Sequence, residues 1–210
     1  MTDLPMRVDG PKRGAAATLV FAHGAGAGME HEWMQAMTER LVQKKLRIVR
    51  FEFAYMAARR EGRRPGPDRL PKLQAAFRDV IAAAKAPAGR LVLAGKSMGG
   101  RVATTIADDV EAQACVALGY PFHPPGKPES LRTEHLLDLR TQTLVLQGER
   151  DPFGTPDEVK SYGLSKAIGV QWLPDGDHSL KPRKKSGFTL EQHLDTACDA
   201  LAAFVAKAVR

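Results

Sequence analysis

Residues 90–102 constrain the fold of this 210-residue chain more than any other stretch. Residues 91–94 form a short, wholly apolar run, which predicts a strand buried on both faces of a parallel sheet. This run leads into residues 95–99, Gly-Lys-Ser-Met-Gly, which fit the pattern G-x-S-x-G. Apolar residues at helical spacing follow, so the segment reads as strand, tight turn and helix with Ser97 at the apex.

In a turn of this kind the serine Oγ stands free above the sheet, and the helix that follows directs N–H groups towards developing negative charge. Two other interpretations compete with it. The short pattern also occurs by chance, and residues 95–97 match the end of the phosphate-loop pattern. The phosphate loop requires a glycine at position 90, where the chain has Arg90, and we therefore reject it.

Predicted strands alternate with helical patterns about six times along the chain. This order predicts an α/β fold, with a mostly parallel sheet of about six to seven strands and helices on both faces. We expect residues 6–8 to form an edge strand, 54–70 a loop rich in Arg, Gly and Pro, and 130–137 a short helix. The length suits one domain spanning residues 1–210, and no segment between strands is long enough for a large cap domain.

A candidate catalytic triad follows from three predicted strand ends. Ser97, Asp151 and His178 each come just after a strand, so all three are expected at one edge of the sheet. Their order along the chain is the Ser, Asp, His order of α/β-hydrolases. Ser97 would attack a carbonyl, His178 would carry its proton, and Asp151 would fix the imidazole tautomer.

Each member of this triad has an ordinary structural alternative. Asp151 precedes Pro152 and could be only a turn former, and His178 could be a surface histidine in a loop. Asp175 and Asp177 are rival acids, although their place in the same loop as His178 gives them poor access to its Nδ1.

The oxyanion donors are predicted at two backbone positions. One is the Met98 N–H at the start of the helix after Ser97. The other comes from the loop 23–26, with Ala25 as the preferred donor beside Gly26. His23 is expected to hold this loop and to take no part in proton transfer.

The remaining composition places the chain among ordinary globular proteins, with 43% hydrophobic and 26% charged residues. Cys115 and Cys198 lie in apolar patterns and are expected to be buried free thiols. No leader-like start and no apolar run of about 18 residues is evident, which favours a cytoplasmic protein that does not span a membrane. No histidine or cysteine pair has the spacing of metal ligands, so we expect no metal and no cofactor.

Four motifs, at residues 23–29, 95–101, 119–127 and 151–154, resemble those of a family of small α/β-hydrolases. The same family includes a subunit of the non-specific-lethal histone acetyltransferase complex and its testis-expressed relative. The resemblance runs from about residue 18 to the C-terminus. It implies the hydrolase fold and, by motif position, assigns Ser97, Asp151 and His178 as the triad of a serine hydrolase, with no substrate implied.

The net charge of +7 resides in two segments, 54–70 and 179–187, which carry +3 and +4. Both follow strands that end at the catalytic edge, where positive potential would attract anions. This predicts a preference for small anionic esters or thioesters. The candidate substrate contacts are Arg59, Arg63, Arg150 and His123. The alternative is that these cations form a solvated rim.

A partner-binding protein on a catalytically silent hydrolase scaffold is the competing class of function. The basic segments lack interleaved aromatic residues and carry no reader motif, so nucleic acid is not an expected partner. We expect a small-molecule substrate, no membrane association, and a monomer or homodimer.

Overall fold

The fold was analysed in a computed structural model that describes residues 4–209. All its strands join one sheet, in the order β1-β3-β2-β4-β5-β6-β7. The strands are β1 (Met6–Asp9), β2 (Thr18–Ala22), β3 (Arg47–Phe51), β4 (Leu91–Lys96), β5 (Ala114–Leu118), β6 (Thr143–Gly148) and β7 (Ile168–Leu173). The predicted edge strand is confirmed: β1 pairs with β3 in antiparallel orientation, and the other pairs are parallel.

Helices cover both faces of the sheet, as the alternating pattern predicts. They are α1 (Glu32–Gln43), α2 (Ala54–Arg60), α3 (Leu70–Ala84), α4 (Met98–Ile106), α5 (Pro156–Lys160) and α6 (Leu190–Ala208), with short 3-10 turns at Glu134–Leu136 and Lys184–Ser186. On one face α1 and α6 bury residues such as Met37 and Leu201 against Phe21. On the other face α3 and α4 bury Phe77 and Ile106 in the layer that contains Phe51.

The central strands are apolar because they are buried on both sides. Every residue of β2 and β5 is buried, which is the pattern of strands inside a parallel sheet. Cys115 on β5 and Cys198 on α6 are buried free thiols, as expected. The class of fold inferred from the sequence is therefore confirmed, and among the described residues no separate cap domain covers the carboxyl edge of the sheet.

Two local predictions were wrong. Residues 54–70 are not all loop, because Ala54–Arg60 forms α2. Tyr55 and Met56 on its first turn are buried in the core, so tertiary packing stabilises this helix. The Arg, Gly and Pro residues that follow it make the sequence pattern resemble a loop.

The second error concerns residues 130–137, where only the 3-10 turn Glu134–Leu136 forms. Leu131 and Leu137 remain 49% and 46% exposed, and Leu136 alone in the turn is buried. Without an apolar face to bury, a longer helix gains little from packing.

Candidate active site

Ser97 occupies a sharp turn between the end of β4 and the start of α4. Its backbone has φ 51° and ψ −116°, a strained conformation for a residue with a side chain. The turn closes tightly, because a Cβ on Gly95 would collide with the backbone of Gly99 and one on Gly99 would lie 2.6 Å from the carbonyl oxygen of Ala22. These two positions of the pattern therefore require glycine, and the turn lifts Ser97 above the sheet edge.

The structure brings Ser97, His178 and Asp151 into one hydrogen-bonded chain. His178 Nε2 lies 2.8 Å from Ser97 Oγ, and His178 Nδ1 lies 2.8 Å from Asp151 Oδ2. Asp151 is fully buried, whereas the His178 side chain is 24% exposed. With Nδ1–H donating to Asp151, Nε2 is free to accept the Ser97 proton, which is the arrangement that general-base activation of a serine needs.

The Asp151 carboxylate is held from two further directions. Gln147 Nε2 donates to Oδ2 at 2.9 Å, and the Phe153 N–H donates to Oδ1 at 2.9 Å. The Phe153 ring packs on the imidazole of His178, with ring centroids 4.2 Å apart. Sequence reasoning missed Gln147, although a fully buried amide in the otherwise apolar strand β6, four residues before Asp151, is a usable signal.

The two rival acids are engaged elsewhere. Asp175 accepts hydrogen bonds from Arg183 and forms an ion pair with Arg150. Asp177 Oδ1 accepts from the backbone N–H groups of Ser179 and Lys181. Both carboxylates shape the loop that carries His178, and neither makes a hydrogen bond to the imidazole within residues 4–209.

The loop at residues 23–26 is fixed by groups beneath it. His23 Nδ1 donates to the Gly24 carbonyl at 2.7 Å, and its Nε2 accepts from the Phe53 N–H at 3.1 Å. Burial lowers the pKa of His23, so a neutral ring suits both bonds. The hydroxyl of Tyr55 lies 3.2 Å and 3.1 Å from the carbonyls of Gly24 and Ala25. These contacts agree with the structural role expected for His23.

The predicted oxyanion donors flank the serine. Met98 is the first residue of α4, and its N–H belongs to the unpaired donors of a helix start. Ala25 lines the cavities on both sides of Ser97, and Gly26 lines one of them. The arrangement places two sources of backbone N–H groups beside Ser97.

Lys96 is a second contributor that sequence reasoning missed. Its Nζ donates to the His178 carbonyl at 2.7 Å and lies 5.8 Å from the centroid of the Trp33 ring. Burial lowers the pKa of Lys96 to about 8. Trp33 Nε1 donates to the Ser179 carbonyl at 3.0 Å. Lys96 and Trp33 therefore hold the backbone of the His178 loop. No local sequence motif predicts this role.

Two cavities open beside Ser97. The first, the His178-side cavity, has a volume of about 360 Å³ and is mostly apolar. It is lined by residues 24–27, His31, Trp33, Met34, Lys96, Ser97, Phe153, His178 and Ser179. The second, the Arg101-side cavity, has a volume of about 370 Å³. It is lined by Ala25, Pro67, Asp68, Leu70, Leu73, residues 97–98, 101–102, Pro121, Arg132 and Phe153.

The four predicted substrate contacts line neither of these cavities. Arg59 Nε donates to the Pro65 carbonyl at 2.8 Å, and Arg63 pairs with Glu61. Arg150 Nε donates to the Asp175 carbonyl at 2.9 Å. His123 is 3% exposed, and its Nε2 lies 3.6 Å from Glu158 Oε1. Arg63 and Arg150 are thus engaged with other groups of the fold. Arg59 also points its Nη1 at the carbonyl oxygen of Ala25, 3.5 Å away, beside the cavities that Ala25 lines.

Within residues 4–209, no group of three or more His, Cys, Asp or Glu side chains could hold a metal ion. In the same range no helix is both long and apolar enough to cross a membrane.

The parallel sheet, the strained serine turn and the strand-end residues define the α/β-hydrolase class of fold. The chain matches the family model of the alpha/beta hydrolase domain over residues 15–206, and it belongs to that family. No curated protein sequence matches the chain.

Several solved structures are similar to the chain in fold. Est1E from Butyrivibrio proteoclasticus superposes with a TM-score of 0.73 at 15% identity, covering 98% of this chain and 94% of its own. An esterase domain from Rhodothermus marinus gives 0.71 at 17% identity, with 99% and 94% covered. A serine hydrolase without a lid from Xanthomonas campestris gives 0.69 at 21% identity, with 97% and 88% covered.

Proposed function

We propose that this protein is a serine hydrolase that cleaves small esters or thioesters through Ser97, His178 and Asp151. The observation that carries the proposal is the 2.8 Å contact between Ser97 Oγ and His178 Nε2, made at a strained turn that exposes the serine. A serine hydroxyl placed against a histidine that is itself held by a buried aspartate can be activated as a nucleophile.

The reaction proceeds in two halves. Ser97 Oγ forms a bond to the substrate carbonyl carbon while its proton passes to His178 Nε2. The backbone N–H groups of Met98 and of Ala25 or Gly26 hydrogen-bond the oxyanion that forms, and each such donor contributes about 3 kcal/mol to the transition state. The intermediate collapses by breaking the bond to the alcohol or thiol, which takes the proton from His178.

Water then repeats the sequence on the acyl-enzyme. His178 accepts a proton from the water as its oxygen attacks the acyl carbon, and returns that proton to Ser97 Oγ as the acid leaves. Asp151 stabilises the imidazolium in both halves. The open edge of the sheet and the two modest cavities suit small substrates better than long acyl chains.

The predicted preference for anionic substrates stays part of this proposal, and it requires a cation close to Ser97. A cytoplasmic location, the monomeric or dimeric state, and the narrower kinship with the histone acetyltransferase subunit stay predictions.

The test is labelling with a fluorophosphonate probe, with wild type beside Ser97→Ala, followed by an ester and thioester screen. Stoichiometric labelling that disappears in Ser97→Ala supports the proposal. A folded wild-type protein that resists the probe and hydrolyses no ester or thioester would contradict it and favour a partner-binding role on the same scaffold.

A further inference from the structure

Two arginines next to Ser97 have no partner for their charge. Arg101 lies on α4, and its buried Nε has no hydrogen-bond partner within residues 4–209. The guanidinium of Arg132 likewise makes no hydrogen bond or ion pair in the described part of the chain. This contrasts with Arg150 and Arg183, which both pair with Asp175. Removing a guanidinium partly from water without an anionic acceptor raises the free energy of the folded state. These two side chains therefore have N–H donors that a bound acceptor could satisfy.

Both arginines line the Arg101-side cavity, together with Ser97 and Met98. Burial lowers the pKa of Arg132, and the charge of Arg101 lowers it further. Asp68 also lines this cavity, but its Oδ1 accepts from Lys72 Nζ at 2.7 Å. Within residues 4–209 neither guanidinium pairs with a carboxylate, although Asp68 lies on the same cavity wall. A bound anion would therefore stabilise the two like charges.

Hydrogen bonds hold the backbone of both arginines in position. The backbone N–H of Arg101 donates to the Ser97 carbonyl, one helical turn away, and the backbone N–H of Arg132 donates to the Phe122 carbonyl at 2.7 Å. The Tyr120 hydroxyl donates to the Arg132 carbonyl at 2.9 Å. Side chains on a helix lean towards its N-terminus, so Arg101 leans back towards the serine.

The position of His178 determines which part of a substrate meets these arginines. The leaving oxygen or sulfur must receive a proton from His178 Nε2, and His178 lines the opposite cavity. The alcohol or thiol portion therefore occupies the His178-side cavity, whose apolar wall includes Trp33 and Met34. The acyl chain then extends in the other direction, into the Arg101-side cavity.

We propose that the Arg101-side cavity binds the free carboxylate of a short dicarboxylic acid, held by Arg101 and Arg132, while Ser97 attacks the esterified end. The preferred substrates are then monoesters or monothioesters of such acids. This inference rests on the proposed serine hydrolase function and assigns its acyl specificity. The planar, forked guanidinium matches a carboxylate in a way that a neutral chain end cannot.

The experiment compares two benzyl esters of equal acyl length, monobenzyl glutarate and benzyl pentanoate, by release of benzyl alcohol. Wild type is expected to favour the glutarate in kcat/KM by about tenfold or more, the effect of one charged hydrogen bond. Arg101→Gln and Arg132→Gln should each lose about tenfold on glutarate and change less than about twofold on pentanoate. Arg64→Gln is the matched control, because Arg64 is exposed and lines neither cavity.

Equal wild-type rates on the two esters, or equal losses on both in the arginine variants, would overturn the proposal. Retained pentanoate hydrolysis in the variants shows that they are folded. If wild type hydrolyses neither ester and resists the fluorophosphonate probe, the hydrolase function itself fails. The subsite is then judged by calorimetric binding of glutarate to wild type and Arg101→Gln: binding that only wild type shows supports it, and no binding to wild type contradicts it.

Discussion

The two sides of Ser97 differ in how their cations are satisfied. On the His178 side, Lys96 donates to a backbone carbonyl, and Arg150 and Arg183 share the carboxylate of Asp175. On the other side, Arg101 and Arg132 line a cavity whose one carboxylate among the described residues, Asp68, pairs with Lys72 instead of with them. Cations with partners hold the loop that carries His178 in place. Cations without partners are the ones to which we assign ligand binding.

Substitution of Ser97, which lies between the two cavities, or of its base His178 should have the largest effect on kcat. Ser97→Ala and His178→Gln should each lower kcat by about 10⁴-fold or more, because they remove the nucleophile or the base that activates it. Since the two act as one unit, the double variant should be scarcely worse than either single one. Ester hydrolysis by both variants and by the exposed control Ser130→Ala measures this. A His178→Gln variant with near wild-type kcat would break the proposed mechanism.

The His178 side can be tested through its buried amide. Gln147→Leu removes the donor to Asp151 and leaves the Tyr120 N–H, which donates to Gln147 Oε1 at 2.7 Å, without its acceptor. We expect a loss of about 2 kcal/mol in the free energy of unfolding and about tenfold in kcat. Urea denaturation and steady-state kinetics measure these changes. Gln171→Leu on the neighbouring strand should change both much less, and comparable losses there would assign the effect to the sheet in general.

The loop at residues 23–26 offers a smaller, matched pair of changes. Tyr55→Phe removes the hydroxyl beside the carbonyls of Gly24 and Ala25, and should cost about 1 kcal/mol of stability and a few-fold in kcat. Tyr162→Phe removes a buried hydroxyl that has no hydrogen-bond partner among residues 4–209, so it should leave stability unchanged or raise it slightly. Thermal unfolding and ester hydrolysis compare the two. Equal effects from both would show that the Tyr55 contacts do not hold the loop.

A pH-dependent effect separates Lys96, which has a hydrogen-bond partner, from Arg101, whose Nε has none within residues 4–209. The folded-state pKa of Lys96 is about 8 and its ordinary value is 10.5, so between these pH values the unfolded chain binds more protons than the folded one. Wild-type stability relative to Lys96→Met should therefore rise as the pH increases from about 8 to 10.5, and stay level below pH 8.

Urea denaturation of wild type and Lys96→Met across this pH range measures the difference. Lys96→Met should also affect glutarate and pentanoate esters alike, unlike Arg101→Gln. A selective loss on glutarate in Lys96→Met would remove the distinction between the two sides.

Local sequence patterns were enough to predict the sheet and to bring the candidate triad together. Ser97, Asp151 and His178 follow strand ends, and parallel strands bring such positions to one edge whatever the intervening contacts are. Helix α2 was missed because the burial of Tyr55 and Met56 is a tertiary effect. The charged residues and glycines beside α2 are typical of a loop, so the sequence pattern predicted one there.

Charge runs in the sequence do not show which cations already have partners in the fold. The basic segments 54–70 and 179–187 contain Arg63 and Arg183, whose partners Glu61 and Asp175 lie in the fold beside them. Arg101 and Arg132 are isolated in sequence and meet only when α4 and the loop after β5 pack together. Whether a cation has a partner is a property of the folded structure, which neither net charge nor spacing reveals.

The central claim, that Ser97 carries the acyl group, is tested most directly by trapping the covalent intermediate. Wild type is mixed briefly with 4-nitrophenyl acetate, quenched in acid, digested and examined by mass spectrometry. We expect one acetyl group on the peptide that contains Ser97, and none on that peptide in Ser97→Ala. An acetyl group on Lys96 that persists in Ser97→Ala, or turnover of the ester with no adduct on Ser97 at any time point, would contradict it.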